Sequence, residues 1–336
     1  MISRRSLLGH TAAGLAAAGL AASALPRPAL AARETLRIGY LRGLASDAHL
    51  WTAERLGAFG REGLDVETIQ FVSGLEAYQA LVGGSLDLVT TGAVIANFPA
   101  RGQGKAFLIN AVEKASAQLW VQAGSGIASV ADLKGKAVAT TRGTTAHYFL
   151  YRLLQKAGLA ETDLRLVHQP MNNAVASFIA GSVPALVTWI PLDLSIRKSA
   201  KGAILLTDSG RHDDASVLNG WSARNAVFAE RKDALRRFTA AWLTANDELV
   251  TRREDAVAAL QRTKYPEFTA AEMIEQANAV ALYGARDWAA RYGDGFVTGI
   301  LNRVTDFNVA VGGIANPLRA ETYFDPSLFL DVAAKA

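Results

Sequence analysis

Four threonines, an arginine, a glycine and a histidine stand within eight consecutive residues: Thr140-Thr141-Arg142-Gly143-Thr144-Thr145-Ala146-His147. A short apolar run, Ala137-Val138-Ala139, precedes them, and apolar positions at helical spacing follow: Ala146, Phe149, Leu150, Leu153, Leu154 and Ala157. The pattern is strand, tight turn, helix start. Gly143 suits a turn that needs positive φ, Thr144 suits the N-cap, and Gly158 suits the position just past the helix. Such a turn aims unpaired backbone N–H groups and hydroxyls at one point, which makes a seat for an anion without any cation. In the plainer reading the threonines only stabilise the helix start. His147, on the first helical turn, either donates to an anion or fills space beside the turn.

Other side chains with chemical potential are scattered. Arg42 could close over an anion, Arg142 could pair with a neighbouring acid, and Glu113 and Lys114, just past an apolar run, could line a cleft; for each, a solvated charge is the default. His49, His168 and His212 show no i, i+4 pairing that would bind a metal, so neither metal nor cofactor is expected. The chain has no cysteine, which excludes disulfides, thiolate metal sites, a cysteine nucleophile and a lipid-bearing cysteine. No Ser/His/Asp order or carboxylate pair reads as a catalytic constellation. Without a Lys/Arg stripe interleaved with aromatics, nucleic acid is excluded as a partner.

The N-terminus carries Ser3-Arg4-Arg5-Ser6-Leu7-Leu8, an Ala/Gly/Leu stretch to Leu25, and the small-residue site Ala29-Leu30-Ala31. Residues 1–31 therefore read as a cleaved export signal, the paired arginines favouring the twin-arginine route. Its removal takes three of the 35 basic residues and none of the 31 acidic ones, so net charge falls from +4 to +1. A soluble, monomeric periplasmic protein is expected, and its length exceeds what one ordinary core holds.

Residues 35–120 alternate strand-like and helix-like runs: 36–40, 66–72, 86–90 and 107–112 as strands, 47–59, 74–82 and 93–101 as helices. That alternation predicts a parallel-type sheet covered on both faces. An internal echo supports two lobes of one plan. Ala77-x-x-x-Leu81-Val82-Gly83-Gly84-Ser85-Leu86 is matched by Ala174-x-x-x-Phe178-Ile179-Ala180-Gly181-Ser182-Val183, each a helix, a Gly-Ser turn and a strand. Their tips, at Thr90-Thr91-Gly92 and Thr188-Trp189-Ile190, would face each other across a cleft. Gln118–Val121 is expected to carry the chain into the second lobe and 219–222 to carry it back, with lobe 1 at 32–119 and 221–336 and lobe 2 at 120–220. The segments 234–252, 256–262, 270–281 and 296–304 read as helices that cover the first lobe.

Ser-Val-Ala-Asp-Leu-Lys-Gly-Lys (129–136) followed by Arg-Gly-Thr-Thr-Ala-His (142–147) resembles the second-lobe entry of solute-binding proteins of ABC importers for aliphatic sulfonates, taurine and nitrate, in the NMT1/THI5-like superfamily. Leu36–Tyr40, Gly63–Val66, Gly84–Asp87 with Thr90–Gly92, and Gly181–Val183 leading to Trp189-Ile190-Pro191 carry the same likeness. The resemblance implies an α/β, two-lobed type II periplasmic-binding fold, each lobe a mixed sheet flanked by helices, with a helical C-terminal extension. It also implies a non-enzymatic role: capture of a small organic anion by cleft closure and delivery to an inner-membrane ABC permease. Ligand contacts are implied at Arg42 in the loop after Tyr40, at Ser73 and Gly74, Thr91 and Gly92, Gly143, Thr144 and Thr145, and Trp189, with His147 beside them. Many relatives carry acids where this chain has Pro184 and Ile190, which argues against taurine and for an alkyl or aryl sulfonate. Nitrate, bicarbonate or a pyrimidine precursor of thiamine are the alternatives, the last calling on Tyr40, Trp51 and Glu76; an enzyme of the same fold is the remaining class.

Overall fold

The apolar runs form two sheets. The computed structural model describes residues 33–335, so the export signal expected over 1–31 lies outside the described residues. The strands are β1 Glu34–Leu41, β2 Leu64–Phe71, β3 Leu88–Thr91, β4 Lys105–Glu113, β5 Ala117–Val121, β6 Ala137–Thr140, β7 Arg165–His168, β8 Ala185–Trp189, β9 Ile204–Asp208, β10 Val217–Ala223 and β11 Val280–Ala281. The helices are α1 Leu44–Arg55, α2 Ala58–Arg61, α3 Gly74–Val82, α4 Thr145–Lys156, α5 Met171–Ile179, α6 Asp193–Ser199, α7 Asn225–Glu230, α8 Lys232–Thr251, α9 Arg253–Lys264, α10 Ala270–Asn278, α11 Ala285–Gly293, α12 Phe296–Ala310, α13 Ala320–Tyr323 and α14 Ser327–Ala333.

The larger sheet has the order β11-β4-β10-β3-β1-β2 and the smaller β7-β6-β8-β5-β9. The sheets share a plan. In the larger, β1 runs parallel to β2 and β3, and β10 pairs antiparallel with β3; in the smaller, β6 runs parallel to β7 and β8, and β5 pairs antiparallel with β8. The sequence echo lies at equivalent places, α3 leading to β3 and α5 leading to β8. The parallel pairing expected within residues 35–120 is present in β1, β2 and β3, and the sheet as a whole is mixed, as the resemblance implies. Its antiparallel members come from later in the chain: β10 inserts between β3 and β4 from about a hundred residues downstream and β11 adds at the edge beside β4, which local alternation does not register.

The chain leaves the larger sheet after Glu113 and enters the smaller at Ala117; it leaves the smaller after Asp208 and re-enters the larger at Val217. The segments 118–121 and 219–222, expected to carry the chain between lobes, lie within the strands β5 and β10, buried and paired to their neighbours with irregular register at Leu119/Trp120, Asn219/Gly220 and Trp221/Ser222. The expected helix over 93–101 is two 3₁₀ turns, Ala93–Ala96 and Pro99–Arg101, since proline at position 99 lacks the N–H a continuous helix would use.

The C-terminal helices cover the larger sheet. Trp221, Trp242, Phe238, Trp288 and Phe329 are buried in its core, and Leu119, Phe149, Phe178 and Val187 in that of the smaller. Among the described residues no helix is long and apolar enough to cross a membrane.

Candidate ligand-binding cleft

Strand tips of both sheets meet on one small cavity. From the larger sheet come the end of β1, its loop and the first turn of α1 (Leu41 to Ser46), Gly74 at the start of α3, Gly92-Ala93-Val94 after β3, Glu113 at the end of β4, and Asn219 on β10; from the smaller come Thr145 at the start of α4, Trp189 at the end of β8 and Ile190 after it. Ser116, between the sheets, and Gln276 and Val280 complete the wall. This is the carboxyl end of the parallel strands, where open α/β sheets place ligands. The cavity measures about 50 Å³, which is space for a head group of a few heavy atoms, since one water needs roughly 10–15 Å³ by this measure.

Four N-terminal turns open onto it: those of α1, α3 and α4 and the 3₁₀ turn at Ala93. Each carries backbone N–H groups without intrahelical partners and the positive end of its dipole. Thr144 holds the N-cap position of α4, but its hydroxyl donates backwards to the Thr141 carbonyl at 2.6 Å and caps no N–H. Gly143 makes that turn possible with φ 74°, a value L side chains rarely adopt. Thr145 reaches across the cleft, where its Oγ1 accepts from the Ala93 N–H at 3.2 Å.

Under the α1 turn lies a buried polar network. Asn219 donates to Ser46 Oγ (2.9 Å) and to Glu113 Oε1 (2.8 Å), and Ser116 donates to Glu113 Oε2 (2.5 Å). Thr90 Oγ1 donates to Asn219 Oδ1 (3.1 Å) and accepts from Asn110 (3.1 Å), whose Oδ1 takes the indole N–H groups of both Trp221 and Trp242 at 2.7 Å. Burial pushes the Glu113 carboxyl above its ordinary value, against the pull of the Ser116 and Asn219 donors. Asp47, one turn into α1, is also buried and raised to about 7, although the Tyr265 hydroxyl and the Trp51 indole donate to it.

Five of the ten residues expected to contact ligand line the cavity: Arg42, Gly74, Gly92, Thr145 and Trp189. Arg42 does not close over it, because its guanidinium donates to Glu267 and to the Lys264 carbonyl (2.8 Å) and lies 4.4 Å from the Tyr265 ring centre. Ser73 sits behind the wall, its hydroxyl accepting from Glu76 N–H (3.4 Å) to cap α3, and Thr91 is buried with its methyl facing Gly74. Gly143 and Thr144 shape the turn without lining the cavity. His147 fills space: its Nδ1 accepts from Gly143 N–H (3.0 Å), its Nε2 donates to Glu161 (2.7 Å), and its ring meets Phe307 edge-on. Tyr40 and Trp51 pack edge-on against each other, and Glu76 is exposed. The residues that sequence reasoning passed over are Ser46, Ser116, Asn219 and Gln276. Asn219 did carry a signal, a lone amide inside an apolar strand, which must find partners when buried.

The family model described as NMT1/THI5 like matches residues 46–256. The chain belongs to this family. An Escherichia coli K12 relative, provisionally named an aliphatic sulfonates-binding protein, is 31% identical over 70% of this chain and 73% of its own. A Brucella abortus relative, provisionally named a binding protein, is 29% identical over 89% and 92%. Among solved structures, the alkanesulfonate-binding protein SsuA from Xanthomonas axonopodis pv. citri, bound to MOPS, superposes with a TM-score of 0.68 at 22% identity, covering 86% of this chain and 97% of its own. The desulfurization enzyme DSZB superposes at 0.64 with 15% identity, covering 90% and 99%. At these identities the structural likeness is one of fold, and this NMT1/THI5-like chain has the fold of the periplasmic binding proteins, two sheets flanked by helices.

Proposed function

We propose that this protein is the periplasmic solute-binding component of an ABC importer, capturing a small organic anion by closure of two lobes and handing it to an inner-membrane permease. The observation that carries the reading is the meeting of four N-terminal turns, drawn from both sheets, on one cavity whose one arginine among the described residues is already paired. A sulfonate keeps its charge at biological pH and spreads it over three oxygens, so fixed N–H donors suffice, each charge-assisted bond contributing about 1.5–3 kcal/mol. Relatives named for aliphatic sulfonates support that class. The cavity of about 50 Å³ favours a short alkyl sulfonate over an aryl one. The same small volume supports nitrate or bicarbonate as the second reading. A pyrimidine is disfavoured, since Trp189 is the one aromatic ring on the wall among the described residues.

The moving bodies we propose divide at the chain passages 114–116 and 209–216, with the protein working as a monomer. We read binding rather than turnover: the chain has no cysteine, and no histidine lines the cavity among the described residues.

The test is a thermal-shift panel on residues 32–336, unfolded and refolded to remove carried ligand. Short alkanesulfonates at a hundredfold over Kd are expected to stabilise by about 2.7 kcal/mol. A shift only with a neutral pyrimidine, or with no anion at all, overturns the anion reading.

A further inference from the structure

Glu113 is the feature of the cavity that an anion site does not explain. The residue is 6% exposed, lines the cavity, and has no cation within salt-bridge distance among the described residues. Both oxygens are held by neutral donors, Ser116 and Asn219. A methyl group on Gly92 would stand 2.8 Å from Glu113 Oε1 and 2.8 Å from Thr145 Oγ1, so the carboxyl and the α4 turn lie within one small group's width of each other. An anion seated on the α4 N-terminus therefore touches, or nearly touches, Glu113.

Two like charges that close in a buried space cannot both persist without a cation, and the less acidic group takes a proton. A sulfonate holds a proton far less readily than a carboxylate. The groups facing Glu113 offer no other relief. Ser46 on α1, Thr145 on α4, Asn219 on β10, Gln276 on α10 and the Ala93 turn are neutral; Arg42 is bound to Glu267; and Lys114, next in the chain, is exposed. We propose that Glu113 is a ligand-binding residue that carries a proton in the bound state and donates it as a hydrogen bond to the anion, so that the anion is taken up together with one proton from solvent. The inference rests on the anion reading of the cavity. The burial that already raises the Glu113 carboxyl in the protein acts in the same direction. By linkage, the anion raises the proton affinity of Glu113 and the proton raises the affinity for the anion by the same factor.

The experiment is calorimetric titration of the refolded protein with ethanesulfonate and with taurine from pH 5 to 8.5, in buffers of differing ionisation enthalpy. Ethanesulfonate affinity is expected to fall with rising pH, approaching tenfold per unit, with net uptake approaching one proton. Glu113→Gln, whose amide N–H imitates the protonated acid, is expected to bind ethanesulfonate with pH-independent affinity and no proton uptake. Asp47, a buried carboxyl raised to about 7, titrates in this range, so Asp47→Asn is the control and is expected to keep the slope. A flat wild-type profile, or a slope that survives in Glu113→Gln, overturns the proton role while leaving the anion reading intact. Tighter binding of taurine without proton uptake, lost in Glu113→Gln, also overturns it, since Glu113 would then be accepting from the ligand's ammonium group. Failure of folded wild type and Glu113→Gln to bind any anion at pH 5 overturns the anion reading itself, and the inference with it.

Discussion

The two walls of the cleft are built differently. The larger-sheet wall is backed by a continuous buried network running from Trp221 and Trp242 through Asn110, Thr90 and Asn219 to Ser46, Glu113 and Ser116. The smaller-sheet wall presents one helix start, one indole and one isoleucine, with local bonds behind them such as Thr144 to Thr141. A polar network inside a core must be fully satisfied to be tolerated, and once satisfied it admits few alternative arrangements. In the closure proposed above, the larger wall is therefore the fixed platform and the smaller wall the simple surface that closes onto it.

The sharpest way to break this comparison is to cut the platform at its root. Asn110→Leu strands the indole N–H groups of Trp221 and Trp242, both fully buried, at about 1–3 kcal/mol each. We expect a loss of roughly 2–6 kcal/mol in urea unfolding, from the two stranded donors together. Thr144→Val, which removes one hydroxyl donor from the smaller wall, is expected to cost about 1 kcal/mol. Equal losses would mean that the two walls are equally rigid.

The second prediction tests how closely the walls approach. Gly92 is where they touch, with Glu113 and Thr145 both closing on the place its side chain would occupy. Gly92→Val is expected to fill the cavity and weaken anion binding at least a hundredfold, about 2.7 kcal/mol; opening the cleft relieves the contact with Thr145 but not that with Glu113 on the same wall, so some loss of stability accompanies it. Unchanged affinity in Gly92→Val would place the ligand elsewhere.

What sequence could reveal of this site follows from the same asymmetry. The smaller wall was legible because its features are contiguous: strand, Gly143 turn and α4 start are one run, and Trp189 sits at the end of a repeated helix-turn-strand unit. Of the larger wall, Arg42, Gly74 and Gly92 are implied by the resemblance, but the polar residues Ser46, Ser116 and Asn219 are not, because the wall's members come from separate segments of the chain. Glu113 reads locally as a charge past a strand, and its burial follows only when β10 inserts beside β4. The connectors were misplaced for a related reason. The Trp-containing segments 118–121 and 219–222 stand out as landmarks, whereas the crossings between the sheets, at 114–116 and 209–216, have no distinctive pattern. His147 shows the converse, a chemically able side chain in the right run whose two nitrogens are used to hold the turn itself.

The smallest expected effect concerns the rim. Arg197 on α6 of the smaller sheet donates to Glu275 on α10 at 2.6 Å and to Asp193 at 2.9 Å, and Lys198 lies 4.0 Å from Glu272. Glu275→Gln removes the cross-cleft charge while leaving Arg197 to the buried Asp193, so no stranded acid confuses the result. Arg197 and Glu275 are each more than a third exposed, and such pairs are worth about 0–1 kcal/mol and are screened by salt. If closure is decided by donors and shape inside the cavity, Glu275→Gln weakens ethanesulfonate binding about fivefold at most, and 0.5 M salt removes the difference from wild type. A larger loss, persisting in salt, would show that the rim rather than the platform holds the closed form.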